Sequence, residues 1–280
     1  MKTKYAILAI WLFLIGPVSI CPAQEITFKS LLPPEARGNS AINAEYLFEA
    51  LGQRQDVKTF FSDTEGARQF LLRRLKTLPH TNYELPCCLS AKPESVLELS
   101  LPQLVRVYLF LDGLQNNDLT KQIGKIIASY EKDSQYEPGG IGLVEKGQIV
   151  AEQIASEPFV KTTDLIAGYK LPKKDLARPH VFTFHFHPRL SKTFFPSPSW
   201  TAEFADGMEA NINYDIGEAL SRAKSDGDSH QLLISELKDN SFNLVYYAAE
   251  KVEMPASLDP FAFCGRLTGF KIVNLGIWKY

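Results

Sequence analysis

The stretch His180–Asp206 reads HVFTFHFHPRLSKTFFPSPSWTAEFAD, and its first nine residues decide the fold prediction. Phenylalanine occupies every second position from Phe182 to Phe186. Because successive side chains of a β-strand point to opposite faces, this alternation predicts a strand whose phenylalanines face the core. The residues that then share the other face are Val181, Thr183, His185 and His187.

The two histidines on that second face are the first candidates for chemistry. His185 and His187 lie one pleat apart, just before Pro188 ends the predicted strand. Two imidazoles at this spacing can chelate one metal ion. The alternative is a pair of histidines that are solvated or hydrogen-bonded near a strand end, since H-x-H alone is a weak signal.

Two flanking motifs add to this pattern. Residues Tyr136–Val144 read YEPGGIGLV before the strand, and Pro196–Ser199 reads PSPS after it. A glutamate before a Gly-rich strand, then H-x-H-P, then a serine resembles the pattern of the JAMM/MPN metalloprotease family, over about residues 135 to 250. The positions that match in order are Glu137, Gly140, His185, His187, Pro188 and Ser197.

The sequence departs from the family pattern after the serine. The family has a metal-binding aspartate three residues on, where this chain has Trp200, whose indole cannot ligate zinc. We predict a helix over 200–210 and expect Glu203, one turn after Trp200, to replace the aspartate. The alternative is an ordinary exposed helix glutamate.

The resemblance implies a fold and a mechanism. It implies a mixed α/β, JAMM-like (cytidine-deaminase-like) domain, and the helical unit that the spacing of apolar residues predicts before it makes the chain α+β. It implies Zn²⁺ held by His185, His187 and one carboxylate, with water in the open position; Glu203 is the carboxylate that the helix-face argument supplies. Glu137 would act as general base, and Ser197 would donate a hydrogen bond to the oxyanion. Glu145, after the Gly-rich strand, is a weaker alternative base.

Two functions follow from the resemblance. The first is a zinc-dependent peptidase or isopeptidase with a protein or peptide substrate. The alternative is a catalytically inactive MPN-like module that binds a protein partner in the cell envelope, because Trp200 stands where a ligand belongs. The formal net charge of −2 comes without a basic patch, so nucleic acid is not an expected partner.

The N-terminus predicts export. Met1–Lys4 is basic, Tyr5–Ile20 is apolar, and Cys21–Ala23 supplies small residues before a cleavage site. This pattern is typical of a secretory signal peptide over 1–23, which gives a periplasmic or secreted protein without a stable membrane span after cleavage. An uncleaved anchor is the alternative.

Three cysteines remain after cleavage. An oxidising compartment would allow Cys264 to pair with Cys87 or with Cys88, and the alternative is three separate thiols.

The remaining chain divides into two predicted parts. Residues 24–134 read as a helical unit, with a capping box at Ser62–Glu65 and a further helix capped by Ser100 and ended by Gly113. Residues 135–280 read as mixed α/β, beginning with a Gly-rich strand and a Lys146-Gly147 hairpin turn. The later predicted elements are a helix over 214–224, strands over 231–236 and 242–250, and a C-terminal strand.

Overall fold

The structure is a computed structural model. It describes residues 46–47, 54–80, 91–115, 118–130, 136–158, 169–188, 198, 201–204, 210–237, 240–253 and 268–279. For residues 61, 201–204, 210–214, 251–253 and 268 only the backbone is described. The predicted signal peptide, the four cysteines, Ser197 and Trp200 lie outside the described residues, so the predictions made for them stay predictions.

Helices dominate the first half of the described chain. They are α1 (Gln55–Ser62), α2 (Thr64–Lys76), a 3₁₀ helix (Pro93–Glu98), α3 (Leu101–Gln115) and α4 (Asp118–Ala128). The helix α3 is buried over most of its surface, because its sequence LVRVYLFL is apolar on nearly every side. It therefore forms the centre of the helical layer.

The described residues of the second half form one six-stranded sheet, a small hairpin and two further helices. The strands are β1 (Gly139–Glu145), β2 (Gln148–Ile154), β3 (Phe182–His187), β6 (Asp228–Glu236), β7 (Ser241–Glu253) and β8 (Thr268–Lys279), in the spatial order β2-β1-β3-β6-β7-β8. Only β3 and β6 are parallel. The crossover between them carries a small hairpin, β4 (Thr201–Phe204) and β5 (Ala210–Asn213), and then α6 (Tyr214–Asp226). A short helix, α5 (Lys173–Leu176), precedes β3.

The two faces of the sheet pack against different layers. One face presents Phe182, Phe184 and Phe186 to the core that α1 to α4 share with the sheet. The other face carries a smaller apolar core beneath α6, formed with Ile216, Ala219, Leu220 and Ala223. Helices thus cover both faces, so β3 is buried on both sides and the α+β class is confirmed.

Polar contacts also join the helical layer to the sheet. Arg106 of α3 is 1% exposed, and its Nε donates to the carbonyl of Val181 at 2.8 Å. Along the outer edge of β8, the amides of Asn274 and Ile277 donate to carbonyls of Ala91 and Pro79. These bonds protect an edge strand that would otherwise expose unpaired backbone groups.

Several predicted boundaries differ from the structure. Ser62 ends α1, and Asp63 rather than Ser62 caps α2 by accepting from the amide of Gly66 at 2.8 Å. The predicted end of α3 at Gly113 is two residues early, because the helix runs to Gln115. The prolines of residues 80–95 predict a loop, but a 3₁₀ helix begins within it and runs over Pro93–Glu98.

The largest error is the helix predicted over 200–210. Its described residues form β4 and β5, which pair antiparallel with Thr201 opposite Asn213. Cross-strand pairing has overridden the helix-favouring Ala, Glu and Met of this segment. Among the residues that the structure describes, no helix has the length and apolar character needed to cross a membrane.

Candidate metal centre

The centre lies at the carboxyl end of β3, near the middle of the sheet. His185 and His187 project from the face that α6 covers, with ring centroids 5.1 Å apart. Each residue is only 5–6% exposed. The predicted sharing of one strand face by the two histidines is therefore confirmed, and the site is shielded from bulk water.

Glu137 reaches the same place from the segment just before β1. The antiparallel register sets Gly139 opposite His185, and the amide of Phe186 donates to the carbonyl of Pro138 at 2.9 Å. Two residues before Gly139, Glu137 therefore comes level with His187, on the same face of the sheet. Its Oε2 lies 3.9 Å from Nε2 of His187, and its side chain is 7% exposed.

A second carboxylate comes from the first turn of α6. Oδ1 of Asp215 lies 3.1 Å from Nε2 of His185, and Oδ2 lies 3.4 Å from Nε2 of His187. The helix is fixed over the sheet by its apolar face and by Arg222, whose Nη1 donates to Thr183 on β3 at 3.1 Å. Packing of α6 thus sets the position of Asp215.

The arrangement fits a metal ion. One ligand atom from each of Glu137, His185 and His187 lies within 4.8 Å of the other two. For Zn–N and Zn–O bonds of about 2.0–2.1 Å, tetrahedral geometry separates neighbouring ligand atoms by roughly 3.3 Å. The two distances from Asp215 are close to this separation, with one carboxylate oxygen facing each histidine. The distance from Glu137 exceeds it by about half an ångström.

The short distance between His185 and Asp215 is not explained by a hydrogen bond. Nε2 of His185 is buried, yet it makes no hydrogen bond of acceptable geometry with any group of the described chain, although Oδ1 of Asp215 is 3.1 Å away. A buried nitrogen without a hydrogen bond is costly unless another partner satisfies it. A metal ion between the two atoms satisfies both lone pairs, so the buried Glu137, His185 and His187 group and its neighbour Asp215 suit a cation.

Charge in this centre also favours a cation. Burial acts to raise the pKa of Asp215, but the two histidines beside it outweigh burial and hold that pKa well below its usual value. Asp215 is therefore ionised near neutral pH, and the N-terminal end of α6 favours the same state. The buried Asp215 carboxylate thus needs a positive charge beside it, which a divalent cation held by the imidazoles supplies.

The structure separates the predicted site residues into two groups. Glu137, His185 and His187 are brought together. The helical-face argument for Glu203 is wrong, because Glu203 lies on β4 opposite Asn211; its side chain is outside the described part of the chain, and its role as a ligand stays a prediction. The same holds for Ser197. Glu145 is exposed at the far end of β1 from the centre.

Sequence reasoning missed Asp215. The helix over 214–224 is correctly predicted, and Asp215 is the acidic residue in its first turn. The available signal was this acidic first turn on the helix that crosses from the H-x-H strand to its parallel neighbour. Residues at a crossover helix start lie near the carboxyl end of the preceding strand, where α/β sheets place their ligands.

Comparisons with known proteins add no relative. No family model, no curated protein and no solved structure matches this chain.

Proposed function

We propose that this protein is a metal-dependent hydrolase that cleaves peptide or isopeptide bonds, with zinc as its resident ion. The observation that carries the proposal is the position of Asp215, whose two carboxylate oxygens face the Nε2 atoms of His185 and His187 at 3.1 and 3.4 Å. Two imidazoles and one carboxylate are a common ligand set for catalytic zinc, which keeps a fourth position open.

The two carboxylates take different roles in this proposal. Asp215 contacts both histidines at distances that suit neighbouring ligands, so it is the third ligand. Glu137 lies farther away, 3.9 Å from His187, so it is the general base. The Glu137 side chain is 7% exposed and lies beside the ligands. It is therefore well placed to exchange a proton with the reacting water rather than to bind the ion.

The chemistry is then ordinary hydrolysis. A bound zinc ion supplies Lewis acidity and makes water more acidic. The water oxygen bonds to the carbonyl carbon of the substrate, and Glu137 Oε2 takes the water proton. Glu137 returns that proton to the leaving nitrogen as the C–N bond breaks, which gives a carboxylic acid and an amine. His185, His187 and Asp215 hold their positions throughout.

The motifs around Glu137 and His185–Pro188 support a JAMM-like fold for residues 135–280, and the mixed sheet is compatible with one. If Asp215 takes the place of the aspartate in the family's S-x-x-D pattern, the serine of that pattern is missing. Ile212 stands three residues before Asp215, where the pattern has serine. The oxyanion donor therefore comes from elsewhere, and Ser197 is the candidate that the sequence supplies. Export of the protein is proposed on its N-terminal 23 residues.

The test pairs metal analysis with cleavage. Purified protein is expected to hold about one zinc ion per chain and to cleave members of a peptide and isopeptide substrate panel. Glu137→Gln should keep the zinc but lose about 10²–10⁴-fold in turnover, the usual worth of a positioned base. Glu145→Gln, at the exposed far end of β1, is the matched control and should match wild type. A wild-type chain that binds no zinc and cleaves nothing would instead support the inactive binding module.

A further inference from the structure

The residue opposite His185 on β1 is a glycine, and the structure shows why. Gly139 pairs with His185 on one side and with Ile154 of β2 on the other. A Cβ at Gly139 would lie 2.6 Å from two ring carbons of Tyr169 and 2.7 Å from the carbonyl oxygen of Phe184. The missing side chain thus leaves a gap on the site face of the sheet, beside His185.

Tyr169 fills this gap. Its ring stacks on the imidazole of His185, with centroids 6.5 Å apart and planes inclined by only 12°. Its hydroxyl donates to the carbonyl oxygen of Ile154 at 3.2 Å. The tyrosine therefore lies across β1, held to β2 at one end and to the imidazole of His185 at the other.

We propose that Tyr169 is a positioning residue for the metal centre, which holds the imidazole of His185 so that Nε2 faces Asp215. The second torsion of a histidine is broad, so packing or an outer contact must fix the ring plane. Outer partners that hydrogen-bond to metal-bound histidines are worth about 10–100-fold in metal affinity, and we expect a ring that orients the imidazole to act at the lower end of that range. A near-parallel ring packed into a gap in the neighbouring strand supplies such a contact without a hydrogen bond.

The stack, rather than the hydroxyl, carries this role. The bond to Ile154 fixes Tyr169 to β2, but the contact with His185 is made by the ring. Phenylalanine at 169 keeps the ring, whereas leucine keeps an apolar side chain without the flat surface. Gly139→Ala should disturb the same stack between Tyr169 and His185, because the new methyl group would occupy the space that the ring of Tyr169 fills.

Gly142 offers a matched control on the same strand. A Cβ there would lie 2.5–2.6 Å from ring carbons of Phe182, so alanine is crowded to a similar degree. Phe182, however, belongs to the core on the opposite face of the sheet. Gly142→Ala therefore reports the cost of crowding β1 without touching the imidazole of His185.

The inference rests on the proposed function for its metal readout, and a metal-free readout separates the two. Affinity for Co²⁺ and the visible spectrum of the Co²⁺ form are measured on the full chain for wild type, Tyr169→Phe, Tyr169→Leu, Gly139→Ala and Gly142→Ala. In the metal-free proteins, the imidazole proton shifts of His185 are measured by NMR. The signal is assigned with His185→Gln.

The expected pattern is specific. Tyr169→Phe keeps the wild-type affinity within about three-fold, whereas Tyr169→Leu and Gly139→Ala weaken Co²⁺ binding about ten-fold or more and alter its spectrum. The His185 signals move in the same two variants, and Gly142→Ala lowers thermal stability without either change. A folded Tyr169→Leu variant with wild-type affinity and unmoved His185 signals overturns the inference. If wild type binds no metal, the proposed hydrolase fails, and the metal-free shifts alone decide the role of Tyr169.

Discussion

Asp215 lies with its Oδ1 3.1 Å from Nε2 of His185, although β4, β5 and the start of α6 separate the two residues in the chain. The parallel pairing of β3 and β6 creates this proximity. The crossover must leave the carboxyl end of β3, where His187 ends the strand, and return along α6. A residue in the first turn of that helix is therefore brought back to the histidines.

The first prediction concerns which carboxylate binds the metal ion. Asp215→Asn keeps the shape of the side chain but removes the charge that faces both histidines. We expect zinc affinity to fall by at least about 100-fold, because a direct ligand is worth no less than an outer contact. Competition with a chromophoric chelator measures the change.

Two control variants make the assignment specific. Asp226→Asn alters the last residue of the same helix, far along α6 from the centre, and should leave zinc affinity unchanged. Glu203→Gln tests the ligand that the sequence motif favoured. Loss of zinc in Glu203→Gln with retention in Asp215→Asn would contradict the assignment made from the structure.

The second prediction is a pH dependence of stability that comes from His180. This residue precedes β3, and its Nδ1 contacts the carbonyl oxygen of Arg178 at 2.6 Å. Burial lowers the pKa of His180 to about 4; the contact with Arg178 opposes this, and the charges of Arg106, Arg222 and His230 add to the lowering. The folded protein therefore holds this imidazole neutral.

Proton binding by His180 makes the protein less stable as the pH falls. Between pH 6.5 and 4 the unfolded chain binds a proton at His180 that the folded chain does not, so acid favours unfolding. The stabilising contribution is complete above pH 6.5 and falls as the pH approaches 4, by roughly 3 kcal/mol in total. Urea unfolding of the metal-free protein at pH 7.5 and 4.5 measures it.

His180→Gln should remove most of this pH dependence, because glutamine has no charge to gain. The loss of unfolding free energy between the two pH values should shrink by roughly 2–3 kcal/mol. His80→Gln removes a histidine four residues beyond α2, whose ring contacts the carbonyl of Leu75, and controls for the loss of an imidazole as such. An equal loss in wild type and His180→Gln would show that other groups cause the acid sensitivity.

Much of the sheet could be predicted from local patterns. The alternation of Phe182, Phe184 and Phe186 fixed both the strand and its core face, and Lys146-Gly147 marked the hairpin between β1 and β2. Both turn residues have positive φ, as tight hairpin turns require. Such signals are local, because alternation and turn chemistry concern neighbouring residues.

The centre could be predicted only in part for the same reason. Glu137, His185 and His187 follow from a motif and from the register of neighbouring strands. The position of Asp215 near the histidines depends on how the long crossover after β3 folds back, and no local sequence pattern indicates where α6 packs. The composition of the segment around Glu203 favours a helix. Asp206-Gly207, in the sequence between β4 and β5, is instead a hairpin signal, and the pairing of the two strands agrees with it.

The third prediction tests the corrected start of α2. The carboxylate of Asp63 accepts from the amide of Gly66, whereas the hydroxyl of Ser62 bonds back to Thr59 within α1. Asp63→Ala should lower the free energy of unfolding by about 1 kcal/mol, the usual cost of a lost N-cap. Ser62→Ala should change it by less than about 0.5 kcal/mol, as for most exposed positions. If chemical denaturation instead shows a larger loss for Ser62→Ala than for Asp63→Ala, Ser62 is the N-cap of α2.

The fourth prediction concerns the place where the end of α2 meets the edge of the sheet. Gly276 of β8 has a φ of +100°, next to a bulge at which β7 shifts register between Leu244 and Val245. Its neighbour Ile277 donates to the carbonyl of Pro79 at 2.8 Å, which draws the segment after α2 onto β8. A Cβ at Gly276 would lie 2.8 Å from Cβ of Leu78 and 3.0 Å from the oxygen of Pro79.

Alanine at position 276 is therefore expected to destabilise the protein in two ways, through its backbone conformation and through crowding. The variant Gly147→Ala distinguishes the two effects. The left-handed backbone costs a non-glycine residue about 1–2 kcal/mol, and crowding against Leu78 and Pro79 adds about 1–3 kcal/mol. Gly147 also has positive φ, +77°, but its nearest neighbours stand 3.9 Å away, so Gly147→Ala bears only the first cost. Urea unfolding should show Gly276→Ala as the more destabilised variant by about 1–3 kcal/mol. Equal losses in the two variants would mean that the segment after α2 yields freely, and that its contact with β8 contributes little to holding the helical layer on the sheet.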